Sequence, residues 1–168
     1  KTGLKGAMVS AVDLLKGIAV GAGMQICHVP GATGSIDTNW EGKAQAAIDA
    51  LLKDHNDFDY IHVEAPDEMA HQGLVEEKVR SIEYLDSRII APVKQALEAA
   101  GEDFRMLVLP DHPNLIRLRT HTPDPVPYVL YDSTCQAKKI ARYGEAEAAA
   151  TGNFEPEGFR LMERLLQK

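Results

Sequence analysis

Only two cysteines occur in the 168 residues, Cys27 and Cys135, far apart and outside any CxxC pattern. That leaves room for one disulfide at most and argues against a thiolate metal site. The default is two reduced thiols in a cytoplasmic protein. No apolar run approaches the roughly 20 residues of a membrane-spanning helix, and no signal peptide is visible. Basic residues are outnumbered: 18 Lys and Arg stand against 25 Asp and Glu, a formal net charge of −7. A nucleic-acid partner is therefore not expected. The chain also lacks an initiator methionine, beginning "KTGLKGAMVSAV". It is expected to be processed or to be a piece of something longer.

What remains suits one ordinary domain, and 45% hydrophobic residues can bury a core. Strand and helix signals alternate. "SAVDLLKGIAVGAG" (10–23) reads as a helix with Ser10 as a plausible cap, and "MQICHV" (24–29) as a short strand. "PGATGSIDTN" (30–39) is a loop, and "WEGKAQAAIDALLKD" (40–54) has apolar residues at helical spacing. "FDYIHVEA" (58–65) reads as a buried strand. The stretch 74–101 predicts one long amphipathic helix, kinked at Pro92 and stopped by Gly101. "FRMLVLP" (104–110) and "VPYVLYD" (126–132) predict two more strands, and 155–168 a closing helix. The alternation argues for an α/β fold with a mostly parallel sheet flanked by helices. In such folds ligands gather at the carboxyl ends of the strands.

Three polar clusters lie along the second half of this pattern. After strand 58–65 come Asp67 and His71; if the chain turns helical there, a spacing of four puts both on one face. Such a pair can share a divalent cation, or be a helix cap beside a surface histidine. Strand 104–110 runs into Asp111 and His112, which in a loop can point at a common or neighbouring ion, or simply form a turn. His121 sits between two threonines, with Arg117 and Arg119 nearby as surface charge or as contacts for an anion. Together these are five oxygen and nitrogen ligands, a mixture suited to Zn²⁺ or Mn²⁺. Five exceeds what one catalytic ion takes from protein, because a position must stay open. Two ions are the natural reading, as in sites that clamp both oxygens of a phosphoryl transfer. His28, His55 and His62 read as packed or surface residues. The loop 30–39 reads as a connection before it reads as a phosphate cradle.

The clusters, in this order, resemble the alkaline phosphatase superfamily. The closer resemblance is to cofactor-independent phosphoglycerate mutases, the archaeal-type branch also found in bacteria. It is carried by "SAVDLLKGIAVGAGM", "VPGATGSIDTNWEGKAQAA", "YIHVEAPDEMAHQG", "LVLPDHP" and "LRTHTPDPVPYVLY". The resemblance implies an alkaline-phosphatase-like three-layer sandwich, present here in part. It implies that Asp67, His71 and His121 hold one ion and that Asp111 and His112 hold the other, with Mn²⁺ first and Zn²⁺, Co²⁺ or Mg²⁺ as alternatives. It further implies transfer of a phosphoryl group through a phosphorylated serine or threonine, interconverting 3-phosphoglycerate and 2-phosphoglycerate. The nucleophile and the inserted substrate domain of that family have no counterpart in residues 1–168, and neither Ser10 nor Thr120 stands in the nucleophile's context. The chain is thus expected to be the metal-binding C-terminal part of the core, inactive alone and prone to self-association through uncovered sheet edge.

Two rival expectations stand beside this. The same ligands serve other phosphomutases, phosphatases, phosphodiesterases, phosphonate-cleaving enzymes and homoserine-phosphate enzymes, and a metal core does not choose among them. A non-catalytic metal-binding domain is the other.

Overall fold

The computed structural model describes residues 3–135 and 142–166. The chain divides into two compact units, Lys1–Glu102 with Asn114–Thr120, and Asp103–Pro113 with His121–Lys168.

The first unit is built on three parallel strands, β1 (Gly6–Val9), β2 (Gln25–Ile26) and β3 (Phe58–Ile61), in the order β2-β1-β3. Ala7 of β1 lies opposite Gln25 on one side and Asp59 on the other. Ala7, Met8 and Val9 are all buried, as expected of a central parallel strand covered on both faces. Helix α1 (Asp13–Gly21) packs on β1 and β2, and α2 (Trp40–Leu52) on β1 and β3. Ser10 does not cap α1. Its Oγ accepts the Val12 N–H at 3.0 Å, a local turn that closes the strand before the helix begins at Asp13. Asn39 caps α2, its Oδ1 accepting the Gly42 N–H at 2.9 Å.

The strand expected over 58–65 is shorter than its apolar run. It ends at Ile61, and helix α3 (Ala65–Gln72) starts with Pro66 in its first turn, where a missing N–H costs nothing. Gly73 ends α3 in the left-handed region at φ 77°, and a Cβ there would strike the Arg119 guanidinium. The expected long helix is present as α4 (Val75–Leu85), a π turn (Asp86–Ile90) and α5 (Ala91–Ala100), stopped by Gly101 at φ 74°. The distortion precedes Pro92. Proline donates no N–H and its ring crowds the carbonyl four residues back, so the turn before it widens.

The second unit holds β4 (Arg105–Val108) and β7 (Val129–Asp132), paired antiparallel with Arg105 opposite Asp132. Sequence pattern does not report strand direction, and this pair departs from the parallel arrangement of the first unit. Arg105 Nε donates to Asp132 Oδ2 at 2.6 Å and fixes the register. The two-residue strands β5 (Asn114–Leu115) and β6 (Thr120–His121) lie between β4 and β7 in the chain. The closing segment is a 3₁₀ turn (Gly158–Arg160) and α7 (Leu161–Leu166), preceded by α6 (Glu145–Ala150). Both cysteines are free thiols. Among the described residues no helix is long and apolar enough to cross a membrane.

Candidate metal centre

Helix α3 delivers the first two ligands. Asp67 Oδ2 and His71 Nε2 lie 3.2 Å apart on one face, as their spacing requires. Two neighbours orient them. The Asn114 amide donates to Asp67 Oδ1 at 2.7 Å and to the Asp67 carbonyl at 3.2 Å. His71 Nδ1 meets the Arg119 carbonyl at 2.9 Å. A carbonyl only accepts, so Nδ1 carries a hydrogen and Nε2 is the ring atom turned to Asp67 Oδ2. A carboxylate oxygen and an imidazole nitrogen this close can share a cation, either a proton or a metal ion. An imidazole locked by an Nδ1–H bond to a carbonyl, with its Nε2 beside an anchored carboxylate, is the outer support that metal ligands need. The residues therefore fit a divalent ion.

Arg119 reaches this place through an unusual backbone. The Leu115 carbonyl accepts the N–H of both Leu118 and Arg119 at 2.8 Å, and Arg119 adopts φ 53°. That turn aims its carbonyl at His71.

The second unit assembles the other three candidates around the bend after β4. Asp111 Oδ1 accepts the His112 backbone N–H at 3.0 Å, while Oδ2 lies 3.2 Å from His112 Nε2. The Thr122 N–H donates to the Pro113 carbonyl at 3.1 Å, tying the two loops together. The rings of His112 and His121 consequently meet at a tilt of 31° with centroids 3.6 Å apart. Asp111 and His121 are exposed and His112 is half-buried. Within the first unit Asp67 thus faces His71 on α3, and within the second Asp111, His112 and His121 lie together after β4.

The remaining histidines follow their modest expectations. His28 and His55 are exposed, and the half-buried His62 stacks on Tyr60. The loop 30–39 spends its own polar groups. Thr38 Oγ1 accepts the Thr33 N–H at 2.9 Å, and Thr33 Oγ1 donates to Asp37 at 3.2 Å.

Asn114 and the Arg119 carbonyl escape a sequence reading. "HPN" looks like a turn, and a carbonyl has no sequence signature. Asn114 is buried at 7% exposure and its other duty is to receive Lys78, whose Nζ donates to the Asn114 carbonyl at 2.7 Å. Asn114→Ala should lower the Mn²⁺ affinity of the chain about tenfold, the usual effect of losing an outer support. Calorimetric titration checks it; affinity equal to the parent's would remove Asn114 from the site.

Comparison with known proteins agrees with this chemistry. The metalloenzyme superfamily profile matches residues 1–159. The chain belongs to the metalloenzyme superfamily. Within it, the chain is 47% identical over 169 aligned residues to a probable 2,3-bisphosphoglycerate-independent phosphoglycerate mutase of Geobacter sulfurreducens, covering 100% of this chain and 42% of that protein. It is 48% identical to the 2,3-bisphosphoglycerate-independent phosphoglycerate mutase of Methanothrix thermoacetophila, over 98% of this chain and 41% of the relative. A solved structure of a Pyrococcus horikoshii protein superposes with a TM-score of 0.79 at 31% identity, covering 89% of this chain and 44% of that one. The chain therefore spans about two fifths of the length of the relatives it matches, and its fold is the α/β, alkaline-phosphatase-like one expected.

Proposed function

We propose that this chain is the metal-binding C-terminal part of a 2,3-bisphosphoglycerate-independent phosphoglycerate mutase that interconverts 3-phosphoglycerate and 2-phosphoglycerate in the cytoplasm, as a step of glycolysis and gluconeogenesis. In this reading Asp67, His71 and His121 hold one divalent ion, and Asp111 and His112 contribute to a second. The observation that carries it is the Asp67–His71 pair, with its Asn114 and Arg119 supports, inside a sequence 47–48% identical to such mutases.

One carboxylate and two imidazoles suit Mn²⁺, and Zn²⁺ or Co²⁺ nearly as well, while Mg²⁺ prefers oxygen. Divalent ions bound here supply charge neutralisation for the transferred phosphoryl group. The protein's own task is orientation. Asn114 leaves only Asp67 Oδ2 to face His71, and Arg119 fixes the tautomer that turns Nε2 toward the same place. The nucleophilic serine or threonine and the substrate-binding domain belong to sequence outside residues 1–168.

Two assays test the reading. The purified 168-residue chain should bind Mn²⁺ yet convert no 3-phosphoglycerate, whereas a longer protein containing it should convert 3- to 2-phosphoglycerate. Mutase turnover by the 168-residue chain would overturn the division of labour. Hydrolysis without mutase turnover by the longer protein would make the enzyme a phosphatase instead. Leu14, Ile18 and Val20 of α1 are 72%, 58% and 66% exposed, and light scattering of the 168-residue chain is expected to show self-association.

A further inference from the structure

Lys43 is a charged side chain that the structure seals from solvent, at 1% exposure. It shares the buried stripe of α2 with Trp40, Ala44 and Ala47. Its ammonium donates to the Thr33 carbonyl at 3.2 Å. Burial pulls its pKa down, and attraction to Glu64 works the other way. A buried ammonium needs such a counter-charge.

Glu64 directly precedes α3, three residues ahead of Asp67. Its carbonyl accepts the N–H of Asp67 at 2.8 Å and of Glu68 at 3.0 Å. Its carboxylate lies over the loop 30–39, because a Cβ placed on Gly34 would fall 2.5 Å from Oε2. Burial first, then Glu68 and Asp67, raise the pKa of this carboxyl, while Lys43 opposes them. Glu64 is thus a carboxylate of the right type on the right turn to become a further ligand, and both its Oε2 and the Lys43 ammonium lie on the loop 30–39, beside Gly34 and Thr33.

We propose that Lys43, with the side-chain-free position at Gly34, holds the Glu64 carboxylate against the loop 30–39 and out of the ligand set of the ion bound by Asp67 and His71. This rests on the metal reading above. A catalytic ion keeps a position for substrate, and an added carboxylate would fill it and bind the ion too firmly. Lys43 is in this sense a positioning residue that acts through Glu64.

The test is titration of the 168-residue chain with MnCl₂, following free Mn²⁺ by electron paramagnetic resonance. Lys43→Met keeps the length and removes the charge; it should tighten Mn²⁺ binding about tenfold, the scale of an outer-shell change. Glu64→Gln alone should stay within about twofold of the parent, and the double variant should return to the parent value. A purely structural lysine would give weaker or unchanged binding, and either result in Lys43→Met overturns the proposal. So does a tenfold loss in Glu64→Gln, which would make Glu64 a ligand already. If circular dichroism shows Lys43→Met unfolded, Gly34→Ala decides. Gly34 is not in the left-handed region, so alanine fits the backbone while its methyl dislodges the carboxylate. Tighter binding supports the proposal and unchanged binding overturns it. A parent chain that takes up no Mn²⁺ overturns the metal reading itself, whereas normal uptake with unresponsive variants overturns only this inference.

Discussion

Asp67→Asn should reduce the Mn²⁺ affinity of the chain at least about 100-fold, beyond the range seen for outer supports, with no change in circular dichroism. The substitution keeps the size and the bond from Asn114 to Oδ1 at 2.7 Å. What changes is the atom facing His71. An amide nitrogen in place of Oδ2, 3.2 Å from Nε2, donates a hydrogen bond to the lone pair that the ion requires. The variant thus removes one ligand and occupies another without disturbing the helix. His71→Ala should lose comparable affinity through a different route, by deleting the imidazole. Glu68→Gln, on the neighbouring position of α3, should leave affinity within about twofold. Calorimetric titration of the three variants separates a ligand pair from general negative charge. If Asp67→Asn binds Mn²⁺ within about threefold of the parent, Asp67 is a helix residue and not a ligand.

The legibility of this site follows from how each piece is encoded. Asp67 and His71 are readable because helical spacing converts sequence distance into shared orientation. Asp111 and His112 are readable as strand-end residues, but the turn that folds His112 back on Asp111 and under His121 depends on loop contacts such as Thr122 to Pro113. Lys43 carries a faint signal, a charge on the same stripe as Trp40, Ala44 and Ala47, easily passed over because lysine is usually solvated. Asn114 and the Arg119 carbonyl carry none. They matter through contacts 47 and 48 residues away in the chain.

The fold shows the same division. The α2 and α4–α5 helices are long enough for periodicity to find them. The central strand β1 is only "GAMV", four residues with Val9 as its single strong strand former, and its role comes from being paired on both sides. The strand expected over 58–65 runs too long because "HVEA", with its alternate Val63 and Ala65, continues a strand-like pattern past Ile61, where Pro66 already sets up a helix. Direction of pairing is invisible to pattern, so the antiparallel β4–β7 pair emerges only with the coordinates.

The largest stability effect is expected at Asp59, which the metal chemistry does not use. The residue sits in β3 opposite Ala7, with both carboxylate oxygens out of reach of solvent and of any well-formed hydrogen bond. Burial raises its pKa from 3.8 to about 6, with the Tyr60 N–H pulling weakly back. Its charge and that of Asp54 add to burial in pushing the Cys27 thiol to about 11. The folded state therefore holds the Asp59 proton more tightly than the unfolded chain does. Between about pH 4 and pH 6 the native form binds more protons, so stability falls as pH rises through that window and stays reduced above it. A shift of about two pH units corresponds to about 3 kcal/mol. Asp59→Asn cannot ionise, and whatever its buried amide costs is the same at every pH. The stability of Asp59→Asn relative to the parent should thus rise by about 3 kcal/mol between pH 4 and pH 7.5. Trp40, the one tryptophan and 2% exposed, reports the unfolding of this unit by fluorescence in urea. A relative stability constant to within about 0.5 kcal/mol across that range would mean that Asp59 is solvated or paired in solution. A rise of the expected size would mean that β3 carries an ionisable group which weakens the sheet at neutral pH, beside strands that must still hold α3 and its metal ligands in place.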